Sequence, residues 1–215
     1  VLIAGSCLGC DTGDIDVPDA PPGASGLVVE WSSVPADWPS NLGDGVTIDR
    51  ARFALDSLRV VGDAGPGDPR TTASAIEMRF AWTDRSERPV DITFDDAPPG
   101  LYSQVALAFD GHTQVDSYEI RGKAVVGGQQ FEYRIEDSDP LAFNVGIDQM
   151  VNPGASAAVK LRINFVHALD SLDFATLDMK DGKLELEQGD PQMATFRAKL
   201  VESFEIVGAG SSGAR

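Results

Sequence analysis

Cysteine, histidine and basic side chains are all scarce in this chain of 215 residues. Its two cysteines, Cys7 and Cys10, both fall within the first ten positions. A domain that follows them has no disulfide framework and must be stabilised by apolar burial. The two histidines, His112 and His167, are too few to complete a zinc site with those cysteines, because a structural zinc takes four ligands. No run approaches the ~18–20 apolar residues of a membrane-spanning helix. Lysine and arginine number 17 against 34 acidic residues, for a net charge of -17. Phosphate-led nucleic-acid binding needs clustered cations, so nucleic acid is not an expected partner, and charge alone would not dock the chain on an anionic bilayer. No G-x-S-x-G elbow is present. Gly208-Ala209-Gly210-Ser211-Ser212-Gly213 spells G-x-G-x-x-G, but no helix follows to meet a phosphate, so the match is fortuitous.

What is present begins at the first residue. Val1 to Ala4 is apolar, and small residues and the two cysteines follow. Ala4-Gly5-Ser6-Cys7 resembles the lipobox of bacterial lipoproteins, in which small residues precede the cysteine that takes the lipid. Cys7 fits that pattern better. Cys10 is the alternative, with Leu8 and Cys7 standing where smaller or aliphatic residues are usual. Residues 1–10 are therefore expected to be the remnant of a signal peptide with its lipobox. The resemblance implies a lipid-anchored protein of the bacterial cell envelope, at the outer membrane. A lipidated cysteine carries several acyl chains, which is what stable anchoring requires. Cys7 and Cys10 also spell C-x-x-C, but the Asp-, Pro- and Gly-rich stretch after them lacks the helix of a thioredoxin-like site.

Residues 11–26 read as an acidic Pro/Gly linker. With 42% hydrophobic content, the remainder supports one sizeable core. From Leu27 the hydrophobic period is mostly two, the mark of half-buried strands. Leu27–Trp31, Ile48–Val61 (interrupted near Asp56-Ser57), Ile76–Trp82, Val90–Phe94, Val105–Phe109, Tyr118–Val126, Phe131–Ile135, Leu141–Ile147 and Val159–Phe165 make about nine strands. Gly127-Gly128 suits a hairpin turn. The expected fold is mainly β: an antiparallel β-sandwich over residues 27–207 with one or two short helices near the C-terminus. The first helix is expected over Asp170–Leu177. The second would start at Asp190 as N-cap with Pro191 at the first helical position, and carry Met193, Phe196, Leu200 and Phe204 on its core face. Residues 208–215 read as a frayed tail.

The stretch Phe94–Phe109 (FDDAPPGLYSQVALAF) resembles the Pro-x-Gly-x-Tyr turn and strand of prealbumin-like and immunoglobulin-like sandwich domains in bacterial envelope lipoproteins. The matching residues are Pro99, Gly100 and Tyr102. The resemblance implies a turn at the glycine and a tyrosine packed at the strand start. It implies no catalytic residue.

The chemical candidates are few. His112, in Asp110-Gly111-His112-Thr113, reads as a hairpin tip, and His167 follows a strand; each is expected to be structural or solvated. Calcium takes six to eight oxygen ligands from carboxylates and loop carbonyls. Asp95, Asp96, Asp137 and Asp139 sit at expected strand ends and are the candidate calcium ligands, although no D-x-[DN]-x-[DN]-G loop is present. Trp31, Trp38 and Trp82 are candidate sugar-stacking platforms. Trp38, in the loop Ala36-Asp37-Trp38-Pro39, is the best placed for exposure. These readings point to a non-enzymatic binding or scaffolding module that meets an envelope protein or glycan and has no obligatory cofactor. A carbohydrate- or calcium-binding sandwich is the alternative, and a hydrolase with a carboxylate pair is the third reading.

Overall fold

The computed structural model describes residues 26–63, 71–83, 89–95, 97–112 and 115–208, with side chains for all of these except 63 and 71–80. The strands, in chain order, are β1 (Gly26–Val34), β2 (Ser40–Gly43), β3 (Val46–Asp63), β4 (Thr71–Trp82), β5 (Ile92–Phe94), β6 (Gly100–Phe109), β7 (Tyr118–Val126), β8 (Gln129–Asp137), β9 (Leu141–Val151) and β10 (Ser156–Asn164). Helix α1 (Phe165–Leu169) and a 3-10 turn at Phe174–Thr176 follow. The chain ends with β11 (Asp178–Lys180), β12 (Lys183–Leu186), α2 (Met193–Glu202) and β13 (Phe204–Ile206). The fold is mainly β, two sheets stacked as a sandwich. The smaller sheet runs β13-β10-β1-β5. The larger runs β11-β12-β8-β7-β3-β6-β9, with β2 and β4 also paired to β3.

Strand β3 organises the larger sheet. Its 18 residues pair with β7 through Thr47–Phe53 and with β6 through Leu55–Asp63. Strands β6 and β7 thus lie end to end along β3, and β8 and β9 repeat that arrangement outside them. A seam crosses the sheet where the register of β3 shifts between Leu55 and Ser57. There the Ala54 amide donates to the Ser117 carbonyl, the Asp110 amide to Ala54, and the Ser117 amide to Asp137. The interruption expected near Asp56-Ser57 is this bulge, an extra residue that bends the strand. His112 is not at a hairpin tip. It lies in the connector between β6 and β7, which do not pair with each other.

The core is aromatic. The ring of Phe53 lies 5.1 Å from Phe109, 6.1 Å from Trp82, 6.2 Å from both Tyr118 and Phe204, and 6.3 Å from Phe165. Phe143 of β9 meets Phe204 of β13 at 4.7 Å, which joins the two sheets. Burying each such ring stabilises by roughly 1.5–3 kcal/mol. Leu27 and Val29 of β1 alternate inward, as do Val159, Leu161 and Ile163 of β10, with Val29 opposite Val159. The expected Pro-Gly-Tyr turn is present: Gly100 has a φ of 149, and buried Tyr102 donates its hydroxyl to the Pro98 carbonyl at 2.7 Å. Gly127 and Gly128, with φ of 60 and 80, form the β7–β8 hairpin turn.

Three expectations are corrected. The sheets are mixed, because β1 pairs parallel with β10 and β12 parallel with β8. The first helix lies earlier than Asp170–Leu177: α1 occupies Phe165–Leu169, with the Asn164 side chain accepting from the His167 amide. Only Phe174–Thr176 of the expected span is helical, as a 3-10 turn. Asp190 does not cap α2. Its carboxylate accepts from the Glu187 amide at 2.7 Å, which leaves Gln192 at the N-cap position. The core face of α2 is Met193, Phe196 and Leu200, while Phe204 has passed into β13.

Candidate cationic groove on the larger sheet

The outward face of β3, β7 and β8 carries a cluster of charged side chains. On β7, inward Ile120, Gly122 and Ala124 alternate with Glu119, Arg121 and Lys123; on β8, Tyr133 and Ile135 alternate with Glu132, Arg134 and Glu136. Strand β3 would break this pattern, because strict alternation from buried Ile48 turns Arg50 inward. A register shift between Ile48 and Arg50 prevents it. The bulge leaves both Asp49 and Arg50 half-buried and restores the phase at buried Ala51 and Phe53.

The register then lines up three arginines. Arg50 is opposite Arg121, and Arg121 is opposite Arg134, in one row across three strands. Like charges directly opposite one another destabilise a sheet. Glu119 relieves this row. It is nearly buried, its Oε1 lies 2.6 Å from Arg50 Nη2, its other oxygen accepts from Arg121 Nη2, and that oxygen is 3.5 Å from Arg134 Nε. Arg134 also pairs with Glu136. Burial works to raise the Glu119 carboxyl, but the hydrogen bond and charge of Arg121, then those of Arg50, outweigh it and hold the group below its ordinary value. Burial is also the largest influence on Glu136, where it wins against Arg134 and raises that carboxyl.

A groove of about 710 Å³ runs over this face, lined by six cationic side chains of β3, β7, β8 and β12 and two carboxylates, Asp49 and Glu132, with Pro39 and Thr83 also in its wall. Arg52 is exposed beside the arginine row and Lys123 is exposed on its other side; neither has a carboxylate partner among the described residues. Lys183 pairs with Glu132 at 3.2 Å. Tyr133 crosses Gly122, which is opposite it in the ladder, and donates its hydroxyl to the Thr47 carbonyl at 2.9 Å. A Cβ on Gly122 would stand 2.0 Å from that carbonyl oxygen and 2.7 Å from the tyrosine hydroxyl.

The residues expected to carry chemistry lie elsewhere. Cys7, Cys10 and Asp96 fall outside the described residues. Asp95 is an exposed residue just after β5 in the smaller sheet. Asp137 and Asp139 are brought together, but around an arginine: Arg197 Nη1 of α2 lies 2.9 Å from Asp137 and 3.2 Å from Asp139. The buried Tyr118 hydroxyl completes that cluster by donating to Asp137 at 3.0 Å. Burial, then the neighbouring Asp137, keep the Tyr118 hydroxyl protonated far above its ordinary range. Trp38 is half-buried in the core. Its ring stacks on Trp82 at 6.4 Å and meets Phe165 edge-on at 5.2 Å, and its N–H is shared by the Ser33 hydroxyl and the Pro35 carbonyl. His112 is exposed, with Nε2 3.0 Å from Asp56 at the seam and Nδ1 3.6 Å from Asp110. Asp116, Glu119 and Glu136 bring carboxylate oxygens within 4.8 Å of one another. The guanidiniums on two of the three supply the positive charge a cation would otherwise bring.

The groove was not anticipated, because the acidic balance of the whole chain hid a local concentration of cations. A signal was present in Arg50-x-Arg52 and Arg121-x-Lys123, basic residues two apart on strands of period two. Comparisons of the chain with family models, with curated proteins and with solved structures find no match.

Proposed function

We propose that this chain is a non-catalytic binding module of the bacterial cell envelope. A lipid on Cys7, with Cys10 as the alternative, holds it to the outer membrane, and the acidic residues 11–26 space the sandwich from the bilayer. The domain meets another envelope component through the cationic face of β3, β7 and β8. The observation that carries this reading is the row Arg50–Arg121–Arg134 with Arg52 and Lys123 beside it. Guanidiniums remain protonated at physiological pH, so they hold an anionic partner rather than exchange protons with a substrate. In an otherwise acidic molecule such a patch also orients an approaching partner.

Two measurements test the reading. Cys7→Ser in the precursor should release the protein from membranes, and unchanged retention would sink the assignment of the lipid to Cys7. Affinity purification from native membranes, with the parent and with Arg52→Glu/Lys123→Glu, should show a companion molecule that the charge-reversed protein loses. An identical set of companions with both proteins would remove the groove as the contact surface.

A further inference from the structure

We infer that the groove is a binding site for a phosphomonoester, a dianionic phosphate group carried on a sugar or on a lipid headgroup. This rests on the binding-module reading above and names the chemistry of its ligand.

The first argument is charge. The groove is lined by six cations, Arg50, Arg52, Arg121, Lys123, Arg134 and Lys183, and two carboxylates, Asp49 and Glu132, while Asp116, Glu119, Glu136 and Glu185 stand beneath or beside the arginines. Arg52 and Lys123, the two without a carboxylate partner among the described residues, match the charge of a phosphomonoester, about -1.5 to -2 near neutral pH, better than that of a singly charged carboxylate. The second is geometry. Neighbouring strands lie ~4.8 Å apart, so Arg50, Arg121 and Arg134 present three adjacent planar forks, the arrangement that chelates phosphate oxygens with paired hydrogen bonds. Glu119 occupies the inner edge of those forks and fixes them in place. Arg52 and Lys123 flank the row as free cations, placed to take the outer oxygens or a second charge. The volume of about 710 Å³ admits a phosphosugar or a lipid headgroup.

The test uses the full chain with Cys7→Ser and Cys10→Ser, so that no lipid anchor confuses a membrane measurement. Glucose 1-phosphate and glucuronate are titrated calorimetrically, and sedimentation is followed with phosphatidylcholine vesicles in which roughly one lipid in five is phosphatidic acid. Saturable binding of glucose 1-phosphate or of the doped vesicles is expected. It should weaken tenfold or more in Arg121→Gln, several-fold in Arg52→Gln and in Lys123→Gln, and progressively with added salt. Glucuronate should bind at least tenfold more weakly than glucose 1-phosphate. Sedimentation that glucose 1-phosphate competes away identifies a headgroup as the source, and binding of the sugar phosphate alone identifies a free phosphoester. Arg52 and Lys123 are exposed and unpaired, so their variants report on the site without threatening the fold. Absence of saturable binding in both arms, equal affinity for glucuronate, or parental affinity in the variants would each overturn the inference. If phosphate binding fails while Arg52→Glu/Lys123→Glu still strips a companion in the membrane purification, the ligand class falls and the binding reading stands.

Discussion

Glu119 is the residue on which the charged face depends. It accepts hydrogen bonds from Arg50 and Arg121 and lies 3.5 Å from Arg134, three arginines that the sheet register forces side by side. Replacing it with glutamine keeps the shape and removes the charge, leaving the row self-repelling. Its oxygens are largely shielded while the arginines are part-exposed, so the cost is discounted from that of a fully buried pair to about 1–3 kcal/mol. The pH dependence has a defined sign. A carboxyl held below its ordinary value of 4.5 contributes its full stabilisation above that pH and loses it as pH falls through the lower folded-state value. Urea midpoints measured from pH ~6 down to ~3 should fall more steeply for the parent than for Glu119→Gln. Parallel curves would show that the pairing carries no net stabilisation. Gly122 is the second decisive residue. Because a Cβ there would collide with the Thr47 carbonyl, Gly122→Ala should destabilise by about 2 kcal/mol or more, read as a lowered denaturation midpoint. Tyr133→Phe removes only one hydrogen bond and should cost about 1 kcal/mol.

At the scale of elements, helix α2 is tied to the seam by one side chain. Arg197 reaches Asp137, Asp139 and the Pro140 carbonyl, which places the helix over the junction of β8 and β9. Asp137 has a fully buried side chain and satisfies both Arg197 and Tyr118. Asp137→Ala is expected to cost about 3 kcal/mol or more by stranding both partners. It should also speed hydrogen exchange across α2 more than in the strands of the smaller sheet, and uniform acceleration would argue that α2 is not separately held. The eight longer strands, β1, β3, β4 and β6 to β10, were legible because apolar residues recur along them with a period of two, and the three-residue β5 was legible from Val90, Ile92 and Phe94. Other short ones were not. Strands β2, β11 and β12 have three or four residues each, too few for a period, although Asp44-Gly45 and Asp181-Gly182, all with positive φ, mark their hairpin turns. Parallel pairing of β1 with β10 leaves no local mark, since it joins segments far apart in sequence. The arginine row was hidden for a related reason: each arginine is an ordinary outward residue on its own strand, and only the register and the bulge at Asp49 bring the three together. Trp38 misled in the other direction. A tryptophan among loop residues suggests exposure, but the loop folds its ring into the core.

The whole molecule carries a net charge of -17, and self-repulsion on that scale opposes the compact state. Raising sodium chloride from a few millimolar to ~0.15 M shortens the screening length to ~8 Å and should raise the thermal midpoint by a few degrees; a falling midpoint would mean that the ion pairs of the sheet face outweigh the repulsion. The pairing of β1 with β10 has a temporal meaning as well. About 130 residues separate Gly26 from its partner Ser156, and among the described residues the only other strand on β1 is β5, which meets it at three positions. As the chain emerges from the ribosome, β1 therefore lacks most of its lateral support until β10 has been made. The larger sheet can zip from neighbour to neighbour around β3, but the smaller sheet can close only at the end, once β10 and β13 arrive. Until then β1 lacks the one strand that pairs along its whole length.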